Sequence, residues 1–108
     1  MAKKALEILT ESMFYVLMAL MGRDMCGIEV AEFVERKTAG RVRLGPGTLY
    51  TILGKFEEEG FICEVEVTGR KRTYRITDHG RGAYAGEVER LRACLDDAES
   101  EERRRGCE

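Results

Sequence analysis

The 108-residue sequence is long enough to bury one modest hydrophobic core and too short for a second independent domain. Its 44% hydrophobic and 35% charged residues, with a single proline, exclude a disordered chain and favour a compact, mostly helical protein. Four widely spaced cysteines, a lone histidine and an apolar run of only nine residues predict no metal site, cofactor, disulfide framework or membrane helix, and we expect a cytoplasmic protein.

The charged residues are distributed unevenly, although the formal net charge is only −2. Between positions 36 and 55 there are five basic residues and no acidic one: Arg36, Lys37, Arg41, Arg43 and Lys55. Between positions 68 and 81, five basic residues accompany Asp78 alone, which leaves a local charge of +4. Acidic residues concentrate elsewhere, so one surface can be basic and can suit an anionic partner such as nucleic acid.

A first helix is predicted after Thr10 or Ser12, either of which can cap it, and Gly22 is placed to end it. Its core residues recur at helical spacing: Met13, Val16, Leu17 and Leu20. The other side of this helix is also apolar. In so small a domain, this favours contact with a second subunit through Phe14, Tyr15 and Met18.

A second and a third helix are predicted in close succession. After a turn at residues 23–26, Gly27 leads into an amphipathic helix that ends near residues 38–40. Pro46 suits the first turn of the third helix because its ring fixes φ and its nitrogen carries no proton to leave unpaired. Gly60 is placed to end this helix, whose core face is again at helical spacing: Leu49, Ile52, Leu53 and Phe56.

From Ile62 the apolar period changes to two, which predicts a β-hairpin with a turn at residues 68–69 and a second strand at 73–76. Its tip is basic and contains Arg70, Lys71 and Arg72. A final helix follows from Thr77 or Asp78. Its apolar residues repeat with the period of about 3.5 that a coiled-coil seam requires, which predicts a homodimer: Tyr84, Val88, Leu91, Leu95 and Ala98.

Three helices, a hairpin and a long helix are the element order of a winged helix-turn-helix, a mainly α fold with a small β-hairpin wing (α+β). We expect residues 10–80 to form this DNA-binding domain, residues 81–100 a C-terminal dimerisation helix and residues 101–108 a charged, flexible tail. The expected dimer interface joins the first and last helices through seven residues: Phe14, Tyr15, Met18, Tyr84, Val88, Leu91 and Leu95.

The partner predicted by this order of elements is duplex DNA, with the third helix in the major groove. The face of that helix opposite the core is small, hydroxylic or cationic, with Tyr50 on its flank, so the recognition residues are Gly47, Thr48, Tyr50, Thr51 and Lys55. Close approach to the groove or packing inside the protein can each explain Gly54. The other predicted DNA contacts are Arg41 and Arg43 in the approach loop and Arg70, Lys71 and Arg72 in the wing.

Three segments resemble the signature of the PadR-like transcription regulators: residues 40–53 (GRVRLGPGTLYTIL), 56–60 (FEEEG) and 69–80 (GRKRTYRITDHG). The resemblance implies a winged-helix DNA-binding domain, dimerisation of the last helix with the first, and usually repression of a nearby promoter. It also implies a recognition helix that opens at residues 46–50, with Tyr50 on a phosphate and the basic wing on DNA. Cys26 departs from the histidine or aromatic residue of many members, and the absence of tryptophan argues against a flat aromatic effector.

Functions other than DNA binding fit the sequence less well. We expect no enzyme, because His79 has no nucleophile motif beside it and no phosphate-binding glycine signature or metal-ligand spacing is present. A winged helix can instead be a protein-interaction module without DNA binding, although the basic surface argues against this. A third alternative is a sensor in which an unknown small-molecule effector, or oxidation of a thiol, shifts the dimer geometry, with three candidate thiols: Cys26, Cys63 and Cys94.

Overall fold

Four helices and three strands follow one another along residues 8–106, the part of the chain that the computed structural model describes. Their bounds are α1 Glu11–Gly22, β1 Met25–Cys26, α2 Gly27–Lys37, α3 Pro46–Glu59, β2 Ile62–Thr68, β3 Lys71–Ile76 and α4 Asp78–Gly106. No helix within residues 8–106 combines the length and the apolar character needed to cross a membrane.

Interactions between neighbouring residues explain where α1 begins and where α3 begins and ends. At the start of α1, the backbone N–H of Met13 donates to the Thr10 hydroxyl at 3.1 Å, which satisfies one of the free amides of the first turn. Pro46 occupies the first turn of α3, and Gly60 ends that helix in the left-handed region at φ +78°. These boundaries match those predicted from the sequence.

The three strands form one antiparallel sheet in the order β1-β3-β2. The hairpin strands β2 and β3 were predicted, but the two residues of β1 lie in a segment that the sequence assigned to a turn, and that assignment was wrong. Met25 pairs with Tyr74 and Cys26 pairs with Thr73, so β3 is the central strand. Two residues are too few to show an alternating pattern, and only their pairing with β3 makes them a strand.

One hydrophobic core joins all the helices and the inner face of the sheet. The four apolar positions of α3 face this core, with between 0% and 6% of their surface exposed: Leu49, Ile52, Leu53 and Phe56. Phe56 is the largest of the completely buried side chains, which come from α1, α2 and α3: Phe56, Leu17, Leu20, Leu53, Val16, Val30 and Val34. The apolar spacing predicted for α3 is therefore confirmed.

Helix α4 is longer than predicted and extends away from the core. The sequence assigned residues 101–108 to a flexible tail, whereas α4 continues to Gly106, so that expectation was wrong for 101–106; residues 107–108 lie outside the described part. Within the last turns Arg104 pairs with Glu101 at 3.3 Å. Three arginines at the carboxyl end complement the negative end of the helix dipole, which favours continuation of the helix: Arg103, Arg104 and Arg105.

The start of α4 is tied to the start of β2 by a close backbone contact. Thr77 donates its backbone N–H to the carbonyl of Phe61 at 2.9 Å, and its hydroxyl accepts the N–H of Gly80 at 3.0 Å. A Cβ atom on Gly80 would lie 2.1 Å from the Phe61 carbonyl oxygen and 2.8 Å from Ile76 Cγ1. Only glycine therefore allows α4 to leave the sheet at this angle.

We expect Gly80→Ala to lower the free energy of unfolding by about 2 kcal/mol or more, because the backbone of Phe61 cannot move aside without disturbing β2. Gly82→Ala is the matched control, since nothing lies within 4 Å of a Cβ atom at that position. Alanine there should raise stability by about 0.5–1 kcal/mol through helix propensity. Urea unfolding of both variants tests this contrast, and equal stabilities would contradict it.

Candidate nucleic-acid interface

The face of α3 opposite the core is exposed and carries small or polar side chains. Gly47, Thr48, Thr51 and Lys55 all lie on this surface, as the sequence predicted. No described atom lies within 4 Å of a Cβ atom built on Gly54, so packing inside the protein does not require glycine there. Of the two explanations for Gly54, close approach by an external partner is the one that the geometry favours.

Tyr50 lies on the flank of α3 and connects that helix to the start of α2. A Cβ atom on Gly27 would lie 2.6 Å from the Tyr50 hydroxyl oxygen and 2.9 Å from the ring carbon that bears it. The tyrosine ring therefore occupies the space beside the first turn of α2, while 51% of the residue is still exposed. Gly27 permits this close packing and so determines where the Tyr50 hydroxyl lies.

The turn of the wing consists of Gly69 and Arg70, because Thr68 pairs with Lys71 across the hairpin. Gly69 has a φ of +62°, a conformation that side chains other than glycine rarely adopt. Arg70, Lys71 and Arg72 are all exposed. Arg72 lies 3.7 Å from Glu64, whereas Arg70 has no ion-pair partner among residues 8–106.

A β-bulge in β2 decides which side chains share a face with Arg72. Glu64 pairs with Tyr74 but Glu66 pairs with Thr73, so one extra residue is inserted between them. Directly opposed residues point to the same side of a sheet, and Val67 is opposite Arg72. Without the bulge, Glu66 would lie opposite Arg72. With the bulge, Val67 lies opposite Arg72 instead, so the acidic side chain of Glu66 is not beside the arginine.

A surface cleft of about 390 Å³ lies where α3, the start of α2 and the wing meet. Its lining includes Tyr50, the first residues of α2 and the three basic wing residues. At this helix start the Cys26 N–H donates to Glu29 at 2.9 Å, and this bond lowers the pKa of the Glu29 carboxyl. Basic side chains, a hydroxyl and a helix amino end together give the cleft the chemistry to hold a phosphate group.

The approach loop between α2 and α3 is tightly held by Thr38. Its buried hydroxyl donates to the carbonyl of Val34 at 2.8 Å and accepts the N–H of Val42 at 3.0 Å. These two bonds connect the end of α2 to the segment that leads into α3. A polar group inside the core therefore helps to hold the connection between the two helices in place.

The arginines of this loop have acidic neighbours. Arg41 is ion-paired with Glu11 of α1 and also donates to the Tyr15 hydroxyl at 3.1 Å. The hydrogen bond with Glu11 raises the pKa of Arg41. Arg43 lies 3.7 Å from Glu35 of α2. The loop therefore presents less uncompensated positive charge than its sequence suggested, because Glu11 and Glu35, which lie outside the loop, pair with its arginines.

Arg75 belongs to the basic stretch between positions 68 and 81, but its guanidinium is engaged in a contact within the protein. It forms a two-pronged contact with Asp24, with distances of 2.9 and 3.2 Å, and the hydrogen bond lowers the pKa of that carboxyl. The contact attaches β3 to the loop in front of β1. Among the basic residues predicted to contact DNA, Lys55, Arg70 and Lys71 are the ones without an ion pair inside residues 8–106.

Of the seven residues predicted for a dimer interface, five are half-buried and two are exposed. Phe14 of α1 and Tyr84 of α4 stack on each other within the chain, with ring centroids 5.2 Å apart and planes 7° apart. Further along α4, Leu91 and Leu95 are 40% and 56% exposed. The remaining predicted residues are half-buried: Tyr15, Met18 and Val88.

Sequence reasoning missed two features near these surfaces. Glu87 of α4 is only 3% exposed and pairs with Arg90 at 2.5 Å, although it stands in a strongly charged helix that gave no sign of a buried carboxylate. Ile28 of α2 is 66% exposed and lines the cleft beside Tyr50. The sequence counted Ile28 among the apolar residues of the second helix, and nothing in that pattern indicated that its side chain is exposed.

The cysteines considered for a sensor lie in different surroundings. Cys26 is buried at the start of α2, whereas Cys63 of β2 and Cys94 of α4 are exposed. Within residues 8–106 there is no group of three or more histidine, cysteine or acidic residues placed to hold a metal ion.

Comparison with known proteins identifies the family of the chain. The model of the Transcriptional regulator PadR-like family matches residues 16–86, which include α2, α3, the wing and parts of α1 and α4. The chain belongs to this PadR-like family. The match confirms the resemblance found in the sequence, and the family is one of transcription regulators rather than enzymes. No functionally curated protein is similar to the sequence at a significant level.

Solved structures share the fold of this PadR-like chain. A transcriptional regulator from Clostridium thermocellum superposes with a TM-score of 0.74 at 22% identity, over 86% of this chain and 97% of that one. A PadR family regulator from Clostridium difficile gives a TM-score of 0.72 at 17% identity, over 84% and 97%. Bacillus subtilis PadR, solved with operator DNA, gives 0.62 at 20% identity, over 70% and 45%. These similarities confirm the predicted winged helix with a C-terminal helix.

Proposed function

We propose that this PadR-like chain is a sequence-specific repressor that binds a pseudo-palindromic DNA operator as a homodimer. The observation that carries the proposal is the joint exposure of the polar face of α3 and of the basic wing, which meets α3 at a cleft lined by Tyr50 and the three wing residues. The operator DNA bound by the structurally similar Bacillus subtilis PadR supports duplex DNA as the ligand. A slightly negative net charge does not oppose this, since binding depends on the local charge.

Some residues of α3 would position the protein on the DNA backbone, and others would contact the bases. Thr48, Thr51 and Lys55 can hydrogen-bond base edges or phosphates from a helix that lies in the major groove. The absence of a side chain at Gly47 and Gly54 lets the helix axis approach the bases closely. Tyr50, placed by Gly27, would donate its hydroxyl to a phosphate at the edge of the cleft.

The wing would hold the DNA backbone beside the recognition helix. Arg70 and Lys71 are the strongest candidates because no ion pair with a described residue competes for either of them. Arg72 would exchange Glu64 for a phosphate, which costs little because an exposed ion pair contributes about 0–1 kcal/mol. The bulge in β2 assists by turning Glu66 away from this face.

We expect the wing and the helix to differ in how DNA affinity depends on salt. In Arg70→Glu/Arg72→Glu, the slope of log K against log salt concentration should become shallower by roughly 2, because each lost phosphate contact contributes about 0.9. In Thr51→Ala/Lys55→Ala, discrimination between the operator and a random duplex should fall, since base contacts carry specificity. Fluorescence anisotropy with an operator selected by the wild type from a random pool measures both effects.

The wild-type protein provides the control for this experiment. Its affinity for the selected operator must exceed its affinity for a random duplex at several salt concentrations. If it shows no preference even at low salt, DNA recognition is contradicted and a protein-interaction role becomes the leading function.

Arg41 is better placed to position the approach loop than to contact a phosphate. Its ion pair with Glu11, its hydrogen bond to Tyr15 and its position 5.9 Å over the Tyr15 ring all hold it on α1. This connection runs from the first helix of the domain to the segment in front of α3. Arg43 remains the loop residue that we assign to DNA.

The direction in which one substitution changes DNA affinity distinguishes the two possible roles of Arg41. Glu11→Gln weakens its anchor, so we expect DNA affinity to fall by roughly two- to fivefold, the range for an exposed ion pair. If Arg41 contacted a phosphate directly, the same change would free it and remove a nearby negative charge, and affinity would rise. Anisotropy titration of Glu11→Gln decides between these outcomes, with Glu35→Gln as the corresponding change beside Arg43.

The proposed dimer uses the outer half of α4, where every residue from 91 to 106 is exposed. Leu91 and Leu95 continue the coiled-coil spacing that begins at Tyr84 and Val88. An exposed leucine pair on a helix that extends beyond its own core is stabilised when a second copy covers it. Two recognition helices related by a two-fold axis would then meet half-sites about one DNA turn apart, or a multiple of it.

We expect Leu91→Asp to convert the dimer to a monomer at micromolar concentration and to lower its thermal stability, because a charge would enter the seam. Ala93→Asp is the matched control, since position 93 lies on the opposite side of the same helix and is exposed. Sedimentation velocity measures the change. An unchanged sedimentation coefficient for Leu91→Asp would show that α4 does not form the interface.

A further inference from the structure

Ile28 is more exposed than any other large apolar side chain in residues 8–106. Its exposed fraction is 66%, compared with 62% for Ile8 and 57% for Val67. It is the second residue of α2, directly after Gly27. Single exposed apolar residues are common, so its surroundings rather than its exposure must indicate its role.

Two clefts meet at Ile28. The first is the cleft of about 390 Å³ that contains the wing residues, and the second, of about 340 Å³, runs between α2 and the first turn of α3. Ile28 and Tyr50 line both clefts and therefore form the ridge between them. The apolar lining of the second cleft continues from this ridge through Leu44, Pro46 and Leu49.

The charges on the two sides of the ridge differ. The first cleft holds the basic wing residues with Glu29, whereas the second holds Arg43 together with Glu32 and Glu35. The interior of the first cleft therefore favours a phosphate more than the interior of the second does. A partner that covers the ridge must combine an anionic group on the wing side with an apolar group on the side of α3.

Duplex DNA has these two groups at the required places. Phosphates run along the edge of the major groove, and the C5-methyl group of thymine projects into that groove. The ridge borders the first turn of α3, which lies in the major groove under the proposed function. The apolar group that Ile28 can reach there is therefore a thymine methyl.

We propose that Ile28 contacts the C5-methyl group of one thymine in each half-site and so contributes to sequence specificity from outside the recognition helix. The inference rests on the proposed function, because it requires α3 in the major groove. The contact is purely apolar, so it changes affinity without changing the number of phosphates neutralised.

The test uses the 108-residue chain and the operator selected by the wild type from a random pool. Ile28→Ala should lower affinity for this operator by about tenfold, with the salt slope unchanged, whereas Ile28→Val keeps most of the contact and should stay within about threefold. Replacing thymines one at a time by deoxyuridine removes single methyl groups. At one position this should weaken the wild type and leave Ile28→Ala unaffected.

Ile8→Ala is the matched control, because Ile8 is similarly exposed but precedes α1 and lines neither cleft. It should bind the operator as the wild type does. Urea unfolding of Ile28→Ala should be close to that of the wild type, since the side chain is mostly exposed, and this separates binding from folding.

Three results would overturn the inference while the proposed function stands. The first is a wild-type affinity in Ile28→Ala. The second is an equal loss on thymine, deoxyuridine and random duplexes, which would place Ile28 on the sugars. The third is unchanged DNA binding with altered self-association in sedimentation, which would assign the ridge to a protein contact. Failure of the wild type itself to select any operator would instead remove the proposed function.

Discussion

Burial of one face of α3 is the constraint on which the other features depend. Leu49, Ile52, Leu53 and Phe56 are almost completely removed from solvent, so rotation of this helix about its axis would expose apolar surface at about 25 cal/mol per Å². The opposite face, with its hydroxyls and glycines, is thereby directed outward. Tyr74 of the wing is buried in the same core, and Tyr50 packs on Gly27 at the start of α2. The cleft exists because these three elements share one core.

The charge that the surface presents depends on which basic residues form ion pairs as much as on how many there are. Arg41, Arg43 and Arg75 find carboxylates on other elements, so a sequence stretch that reads as strongly basic becomes partly neutral on the surface. The predicted DNA contacts that keep an unpaired positive charge within residues 8–106 are Lys55 on α3 and Arg70 and Lys71 on the wing. The bulge in β2 has a related effect, since it moves Glu66 away from the face of Arg72.

Helix α4 connects these features to the proposed dimer. Gly80 lets it pass close to the Phe61 backbone, Tyr84 stacks on Phe14, and Glu87 is buried with Arg90 alongside. Beyond these contacts the helix leaves its own core and exposes Leu91 and Leu95. The direction of α4, and with it the distance between two recognition helices in the proposed dimer, therefore depends on packing near residues 80–87.

The sequence by itself determined the helices, the hairpin and the outward face of α3, because apolar periodicity, Pro46 and Gly60 are local signals that tertiary packing did not oppose. It also carried the family signature. Strand β1, the partners of Arg41 and the ridge at Ile28 were decided only in the tertiary structure, and the continuation of α4 to Gly106 was decided by weak local interactions at its end. Each of these depends on residues distant in the chain or on a balance of weak helix-end interactions, and neither leaves a periodic trace in the sequence.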